Sequence, residues 1–313
     1  MLDTQPMGHQ SPRTTPSANV SDTVQIRPIP GAIGAEFAYG DVNQLTPEAA
    51  QLMRQAWSDN LVLLVRNQRL DDPQLLAFAR HFGGLEKAPV TSIAVTEKRP
   101  DPYVCIVSNV IENGVAIGSL GNDEAIWHTD MSHLDAPPAA SILHALEIPE
   151  HGGETGFINM YLALETLSPE MRKRIEGLTI CHDGSYNSAG VKRRVSASAN
   201  HPVVITHPET HRHALYLGRR PHARINELPQ DESESLLDVL WKHATQDRFA
   251  WHHCWKVGDI LIWDNRCCLH HRNPFDASAR RIMHRAQTTG NRPSFDKSID
   301  TAVRHPRSSR ATH

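Results

Sequence analysis

Short apolar runs recur along this chain, and most of them are too short to form helices. Residues 61–65 are apolar throughout, and residues 103–110, 258–264 and 280–286 carry apolar side chains at strand spacing. Runs of about four to eight residues bounded by Gly, Pro or Asn are typical of buried strands. Strands this short must pack against one another to bury their apolar faces. The sequence therefore predicts a β-sandwich or a distorted barrel as the core of the protein.

Helical spacing is confined to a few segments. The helix predicted over residues 46–58 begins with Thr46 as its N-cap, and one over residues 71–82 is capped in the same way. A helix over residues 231–245 is predicted from apolar side chains at helical spacing. Two further short helices are predicted within residues 160–177. Because strands outnumber them, the predicted fold class is mainly β with peripheral helices.

Composition restricts the classes of partner. The chain has 313 residues, of which 39% are hydrophobic, and this is enough to bury a substantial core. Its formal net charge of -3 gives no general attraction to nucleic acid or to anionic membranes. It contains no run of 18 apolar residues, and its five cysteines lack C-x-x-C spacing. We therefore expect a cytoplasmic protein with reduced thiols that binds neither nucleic acid nor membrane.

One folded domain over residues 23–292 accounts for these elements. Residues 1–22 are polar and rich in Pro, Ser and Thr without periodicity, which predicts a disordered leader. Residues 293–313 are polar and basic, which predicts a disordered tail. Inside the domain, residues 184–201 are small and basic and show no pattern. A loop of that length is typically either a lid over a functional site or disordered, and the sequence leaves both open.

A histidine and an aspartate lie two residues apart, just after a loop rich in Gly, Asn and Asp. In an extended segment side chains alternate between faces, so His128 and Asp130 point the same way while Thr129 points the other. One nitrogen and one hard oxygen that converge form half of a metal site. An Fe(II) centre of two histidines and one carboxylate needs one more histidine. The pair alone is weak evidence, because the chain holds 20 histidines.

The end of a later predicted strand offers the further histidine, as His270 or His271. Alternation along the strand allows only one of the two to face the metal. Arg281 and Arg285 also share one strand face, whereas His284 points to the other. A guanidinium beside a metal suits a bidentate clamp on a carboxylate ligand.

Five short motifs follow one another along the chain. They are W-H-T-D at 127–130, P-P-A at 137–139, P-x-x-G-G-x-T at 149–155, W-D-N-R-x-x-x-H at 263–270 and R-R-I-M-H-R at 280–285. In order and spacing the chain resembles the taurine/2,4-dichlorophenoxyacetate dioxygenase family of Fe(II)- and 2-oxoglutarate-dependent oxygenases. The likeness covers roughly residues 24–292.

The resemblance implies a fold, a reaction and a set of site residues. The fold is a cupin-like double-stranded β-helix, or jelly roll. The reaction uses Fe(II), O2 and 2-oxoglutarate, and it couples decarboxylation of 2-oxoglutarate to succinate with hydroxylation of a small, anionic organic substrate. A homo-oligomer is also expected. The implied residues are His128, Asp130 and His270 as iron ligands, Thr155 and Arg281 on the distal carboxylate of 2-oxoglutarate, and Arg285 at the substrate end.

The substrate itself is less well defined. In the taurine enzyme a histidine shortly after an F-G-x-L stretch grips the sulfonate, and the matching place here is Ala88. Taurine is therefore not expected, whereas aryloxyalkanoates, alkyl sulfates and carboxylate-bearing amino acids or secondary metabolites remain open. Asn109, Glu124 and His133 are polar residues that could line the pocket.

Two other classes of function use the same donors. A zinc-dependent hydrolase could bind Zn(II) through two imidazoles and a carboxylate, but it would not need Arg281 and would need a general base. A non-catalytic jelly-roll protein could hold a structural metal, although structural sites are usually filled by protein donors.

Overall fold

Short strands are the commonest regular elements of the protein. The computed structural model describes residues 24–88, 101–123, 125–188, 190–192 and 197–299. The predicted leader at 1–22 and the end of the predicted tail at 300–313 lie outside these residues. The strands are β1 (Gln25–Pro28), β2 (Ala35–Ala38), β3 (Val62–Val65), β4 (Leu85–Glu86), β5 (Cys105–Ser108), β6 (Ile111–Glu112), β7 (Val115–Ala116), β8 (Ser119–Leu120), β9 (Ala125–His128), β10 (Ala140–Glu147), β11 (Thr155–Asn159), β12 (Thr179–Asp183), β13 (Ser198–Pro202), β14 (Val204–Thr206), β15 (His213–Leu215), β16 (Arg224–Ile225), β17 (Ala250–His253), β18 (Ile260–Asp264), β19 (Cys268–Arg272) and β20 (Ile282–Thr288).

The helices begin where the sequence predicts them. The Thr46 hydroxyl accepts from the Ala49 amide at 3.2 Å, and Asp71 forms a reciprocal capping box with Gln74. Three 3-10 turns are also present, at Val42–Gln44, Arg80–Phe82 and Asp247–Phe249. The helices are α1 (Pro47–Asn60), α2 (Asp72–Ala79), α3 (Met160–Glu165), α4 (Pro169–Ile175) and α5 (Gln230–Ala244). The mainly β class with peripheral helices is thereby confirmed.

The largest sheet has nine strands in the order β1-β2-β3-β18-β10-β20-β5-β8, with β4 on the edge of β20. Alternate residues of its central strands face opposite ways. Ile142 and Ile262 pack with Met53 and Trp57 in the core between the sheet and the helices α1 and α2. The other face carries Leu143 and points towards a second sheet.

That second sheet has four strands in the order β17-β11-β19-β9. Phe157 on β11 lies between the sheets, with its ring centroid 5.6 Å from that of Trp263 on β18. In the β9–β19 pair His128 lies directly across from His270. This register, set by two strands far apart in the sequence, brings the two predicted histidine ligands side by side.

Two boundaries predicted from the sequence need correction. The patternless segment predicted over 184–201 is shorter, because β13 begins at Ser198 and pairs with β12. Small polar residues have low strand propensity, and this hid the strand although its burial alternates. The last folded contacts also extend beyond residue 292. The Thr206 amide donates to the carbonyl of Ser294 at 2.7 Å, and the Asp296 amide donates to the Thr206 hydroxyl at 2.8 Å.

The hairpin predicted around residues 202–217 is confirmed, because β14 and β15 pair in antiparallel fashion. All five cysteines are free thiols, and three of them are buried. Within the described part of the chain, no helix is both long and apolar enough to span a bilayer.

Candidate active site

Three predicted metal ligands converge between the two sheets. The ligand atoms of His128, Asp130 and His270 all lie within 4.8 Å of one another. Asp130 Oδ1 is 3.8 Å from His128 Nε2 and 3.9 Å from His270 Nε2. Strand β9 ends at His128, so Asp130 lies in the following turn rather than on the strand, and Met131 has a left-handed φ of 51°. The turn still directs the carboxylate towards both imidazoles.

Both imidazoles are prepared to act as neutral nitrogen donors. His128 Nδ1 donates to the Ile126 carbonyl at 2.7 Å, and this leaves the lone pair of Nε2 pointing at Asp130. Burial lowers the pKa of His128, although the charge of Asp130 opposes the shift. Burial also holds the pKa of His270 well below its usual value, and the neighbouring His128 adds to that effect. A neutral imidazole is the form that binds a metal.

The Asp130 carboxylate is held from one side. Its Oδ2 accepts from the Ser141 hydroxyl at 2.8 Å and from Gln287 Nε2 at 3.1 Å. Arg285 Nη1 lies 3.1 Å from Oδ1 and 3.2 Å from Oδ2. Burial alone would raise the pKa of Asp130, but the charge of Arg285, the neighbouring imidazoles and the Ser141 hydrogen bond together outweigh it and lower the pKa overall. Asp130 is therefore ionised at neutral pH, and Oδ1 is the oxygen nearest both imidazoles.

Ser141 links this carboxylate to the large sheet. Its oxygen accepts from Asn265 Nδ2 and from Gln287 Nε2, both at 2.9 Å, while its proton is donated to Asp130. Asn265 is oriented in turn by Trp263 Nε1 at 2.9 Å. The polar residues Ser141, Asn265 and Gln287 were missed by the sequence analysis. Each of the three could have been recognised as a polar side chain within a strand, or at the end of one, among apolar neighbours.

We expect the Ser141→Ala variant to bind Fe(II) about 10-fold more weakly, because loss of a partner behind a ligand typically costs that much. Anaerobic calorimetric titration with Fe(II) measures the change. Ser233→Ala is the matched control, since Ser233 is also buried and accepts one hydrogen bond, from the Ile225 amide at 2.8 Å. Equal affinities in the two variants would contradict the role of Ser141.

The histidines on the opposite faces lie where alternation predicts. His271 stacks on Trp127 with ring centroids 4.0 Å apart, and its Nε2 is 3.3 Å from His252 Nδ1. Gly156 lies across from His271 in the β11–β19 pair, and a Cβ there would overlap the imidazole. His284 Nδ1 is hydrogen-bonded to the Asp72 carboxylate of α2.

A cavity beside the three ligands contains the predicted 2-oxoglutarate residues. Thr155 and Arg281 both line it, together with His128 and His270. Arg281 is 2% exposed, and its Nε and Nη1 have no hydrogen-bond partner within the described residues. Burial, with a contribution from the nearby Arg272, lowers the pKa of Arg281 to about 9. The guanidinium is thus charged at neutral pH, and no carboxylate of the described residues pairs with it.

The structure places Arg285 close to the metal ligands. It lines the same cavity, and its nearest acid is Asp130. The observed contact of Arg285 is therefore with the carboxylate of Asp130, a candidate metal ligand. The substrate-binding role that the resemblance implies for Arg285 stays a prediction.

The other polar residues named from the sequence have different positions. Asn109 accepts from the Arg281 amide at 3.1 Å and donates to the Ala279 carbonyl at 2.8 Å, so it orients the chain that enters β20. His133 lines a second, smaller cavity rather than the one with Arg281. Ala88 packs at the edge of the core. Glu124 lies outside the described residues.

A second group of potential ligands, formed by His207, Asp264 and Cys267, is not a convincing metal site. His207 Nδ1 accepts from the Thr210 amide at 3.1 Å, so its Nε2 carries the proton and donates to Asp264 at 3.0 Å. No lone pair of this imidazole remains for a metal. Burial raises the pKa of the Cys267 thiol well above its usual value and keeps it protonated.

His182 lines the smaller cavity, which has a volume of about 30 Å³. Its side chain is 2% exposed, and neither ring nitrogen has a hydrogen-bond partner within the described residues. Burial lowers the pKa of His182 to about 3, whereas the unfolded chain takes up this proton near 6.5. Between those values the unfolded chain binds more protons, so acid destabilises the fold. We expect His182 to lower the free energy of unfolding by about 2 kcal/mol between pH 6.5 and pH 5.

Denaturant unfolding of the wild type and of His182→Gln at both pH values tests this. The variant should lose less stability on acidification, by about 2 kcal/mol. His151→Asn, at a side chain that is 90% exposed, controls for the removal of any histidine. An identical loss in wild type and His182→Gln would contradict the prediction.

Similarity to known proteins identifies the family of this chain. A family model described as "Taurine catabolism dioxygenase TauD, TfdA family" matches residues 25–287. The chain belongs to this family. The resemblance found in the motifs is confirmed, and the chain is a dioxygenase of the 2-oxoglutarate-dependent type. Neither the zinc-hydrolase nor the binding-protein hypothesis is supported by these similarities.

Similar proteins include two bacterial enzymes and a solved structure. The chain is 32% identical over 270 residues to an alpha-ketoglutarate-dependent 2,4-dichlorophenoxyacetate dioxygenase from Burkholderia sp. (strain RASC), covering 79% of this chain and 88% of that one. It is 30% identical over 301 residues to an (S)-phenoxypropionate/alpha-ketoglutarate-dioxygenase from Sphingobium herbicidovorans, covering 91% and 100%. The structure of AAD-2 in complex with Mn(II) and N-oxalylglycine superposes with a TM-score of 0.77 at 32% identity, covering 87% of this chain and 99% of that one.

Proposed function

We propose that the protein is an Fe(II)- and 2-oxoglutarate-dependent dioxygenase that hydroxylates a small, anionic organic molecule and converts 2-oxoglutarate to succinate and CO2. The observation that carries the proposal is the convergence of His128, Asp130 and His270 beside the buried guanidinium of Arg281, which has no anionic partner within the described residues.

The donor set fits Fe(II). Two neutral imidazoles and one ionised carboxylate are the ligands of mononuclear oxygenase iron, and three protein donors leave coordination positions for other groups. The chain provides a fixed tautomer at His128 and a carboxylate held by Ser141 and Gln287. These contacts reduce the reorganisation needed when the metal binds.

The cavity fits a keto diacid. Arg281 offers two nitrogens, Nε and Nη1, without a partner among the described residues, and the hydroxyl of Thr155 faces the same cavity, where it accepts from Trp255 Nε1 at 2.9 Å. Because that oxygen accepts from the indole, its proton remains free to be donated to a carboxylate. A buried guanidinium without an anion is costly, and a ligand carboxylate would remove that cost.

The roles of the residues follow from these contacts. When bound, the metal and 2-oxoglutarate supply the redox chemistry. Arg281 and Thr155 orient the distal carboxylate, while the packed walls exclude bulk water. Arg285 holds Asp130 in its ionised form, and we assign it a position at the substrate end of the cavity. Leu143 and Val107 provide apolar wall on that side.

The strand order supports a double-stranded β-helix as the description of the two sheets. Four strands, β17-β11-β19-β9, face the nine-stranded sheet across the core that contains the ligands. We propose one folded domain over residues 23–292, with ordered contacts that extend to residue 296. A cytoplasmic location and a homo-oligomer remain predictions of the same kind.

For the substrate we propose an organic anion. Aryloxyalkanoates come first, since the two similar bacterial enzymes are named for a phenoxyacetate and a phenoxypropionate. Alkyl sulfates and carboxylate-bearing amino acids or secondary metabolites follow. Taurine is disfavoured because Ala88 cannot donate a hydrogen bond to a sulfonate.

A substrate screen tests the proposal. The protein is incubated with Fe(II), 2-oxoglutarate and air against aryloxy acids, sulfate esters, sulfonates and amino acids, and succinate release and oxygen uptake are measured. At least one anionic compound should raise both rates together. Absence of succinate release across the whole panel would contradict the proposed reaction.

A further inference from the structure

Arg272 is a third buried arginine of the cavity, beside Arg281 and Arg285. It is the last residue of β19, two positions after His270, and therefore lies on the same strand face. Its side chain is 6% exposed and lines the cavity with Arg281. The sequence analysis missed it because an arginine at a strand end is usually a surface residue.

Among the residues that the structure describes, main-chain oxygens alone accept hydrogen bonds from the Arg272 guanidinium. Nη1 donates to the Gly121 carbonyl at 3.1 Å, and Nη2 donates to the Leu120 carbonyl at 2.9 Å and to that of Asp123. Leu120 and Gly121 have left-handed φ values of 77° and 47°, so this turn directs its carbonyls to one side. Nε is buried and has no partner within the described residues.

Arg272 and Arg281 form a pair of like charges. Their guanidinium carbons lie 5.3 Å and 6.0 Å from the centre of the same Phe275 ring. Burial lowers the pKa of Arg272 to about 10, and the charge of Asp123 only partly opposes this. Both groups are cations at neutral pH, and among the described residues Arg272 Nε and Arg281 Nε and Nη1 have no hydrogen-bond partner. Two buried cations that line one cavity favour a bound anion there.

We propose that Arg272 determines the specificity for the oxo acid: together with Arg281 it forms a two-guanidinium site for the distal carboxylate, which selects dicarboxylic over monocarboxylic 2-oxo acids. The inference rests on the proposed function, because it assumes that 2-oxoglutarate occupies this cavity. Arg272 also ties the 120–123 turn, which leads into β9, to the end of β19. The effect of its charge on ligand binding can be separated by experiment from the effect of its carbonyl contacts on the turn.

The test compares two oxo acids on Mn(II)-loaded protein by anaerobic calorimetry. 2-Oxoglutarate carries the distal carboxylate, and 2-oxopentanoate has a methyl group in its place. We expect Arg272→Met to weaken 2-oxoglutarate binding by about 10-fold, because a neighbouring cation is lost, and to leave 2-oxopentanoate binding within about 2-fold of wild type. Arg272→Lys, which retains a cation, should lose less affinity for 2-oxoglutarate than Arg272→Met.

The outcomes separate the two proposals. Equal losses of affinity for the two acids would show that Arg272 only supports the turn. Unchanged affinity for 2-oxoglutarate would show that the charge of Arg272 does not act on the distal carboxylate. Either result overturns the inference. If Arg272→Met does not fold, Arg272→Gln takes its place, and unchanged binding of 2-oxoglutarate in that neutral variant would also overturn the inference. Failure of the wild type to bind 2-oxoglutarate would instead contradict the proposed function.

Discussion

The Asp130→Asn variant should bind Fe(II) at least about 10³-fold more weakly than wild type, because loss of a ligand exceeds the 10- to 100-fold typical of residues behind the ligands. The amide preserves the shape of the side chain but removes the only anionic donor among the three ligands. It also leaves Arg285 buried without its acid, which costs about 3 kcal/mol of stability in the metal-free protein.

Both effects are measured on one preparation, by anaerobic Fe(II) titration and by denaturant unfolding without metal. Asp135→Asn is the matched control, because Asp135 lies five residues further along the chain and is exposed. Fe(II) affinity within 10-fold of wild type in Asp130→Asn would remove the carboxylate from the ligand set.

The Arg281→Met variant should bind 2-oxoglutarate about 10²-fold more weakly while Fe(II) binding stays unchanged, because truncation of a buried charge that pairs with a ligand costs several kcal/mol. The same change should stabilise the ligand-free protein by about 1–4 kcal/mol, because a buried cation without an anion is replaced by an apolar side chain. A merely structural arginine would give the opposite sign of stability change.

Arg280→Met provides the control at the neighbouring position. Arg280 is exposed and pairs with Glu147, with Nε 2.7 Å from Oε2, so its loss should alter neither 2-oxoglutarate affinity nor stability by much. A less stable Arg281→Met protein, or one with wild-type affinity for 2-oxoglutarate, would contradict the role assigned to Arg281.

Local patterns were sufficient to predict most of the helices and strands. Capping residues located the starts of α1 and α2, and the apolar run at 61–65 predicted the buried strand β3. Strand alternation correctly separated His284 from Arg281 and Arg285. The choice of His270 over His271 needed the family spacing, since alternation only states that the two point apart.

Contacts between distant segments could not be predicted in the same way. Ser141 and Gln287 reach Asp130 only because β10 and β20 pair with Ser141 opposite Gln287. Arg272 meets the carbonyls of the 120–123 turn through the β9–β19 register, which no local pattern encodes. Burial decides the rest: the sequence marks Arg281 as a candidate carboxylate clamp, but only the fold shows that it is cut off from water and, among the described residues, from any acid.

Addition of 2-oxoglutarate to the Fe(II)-loaded protein without oxygen tests the central claim most directly. The wild type and His271→Ala should both develop a weak visible charge-transfer band, because the oxo acid can chelate only an iron held by residues 128, 130 and 270. The His270→Ala protein should show no such band. A wild type without the band, or a band of equal strength in His270→Ala, would contradict the assignment of the metal centre.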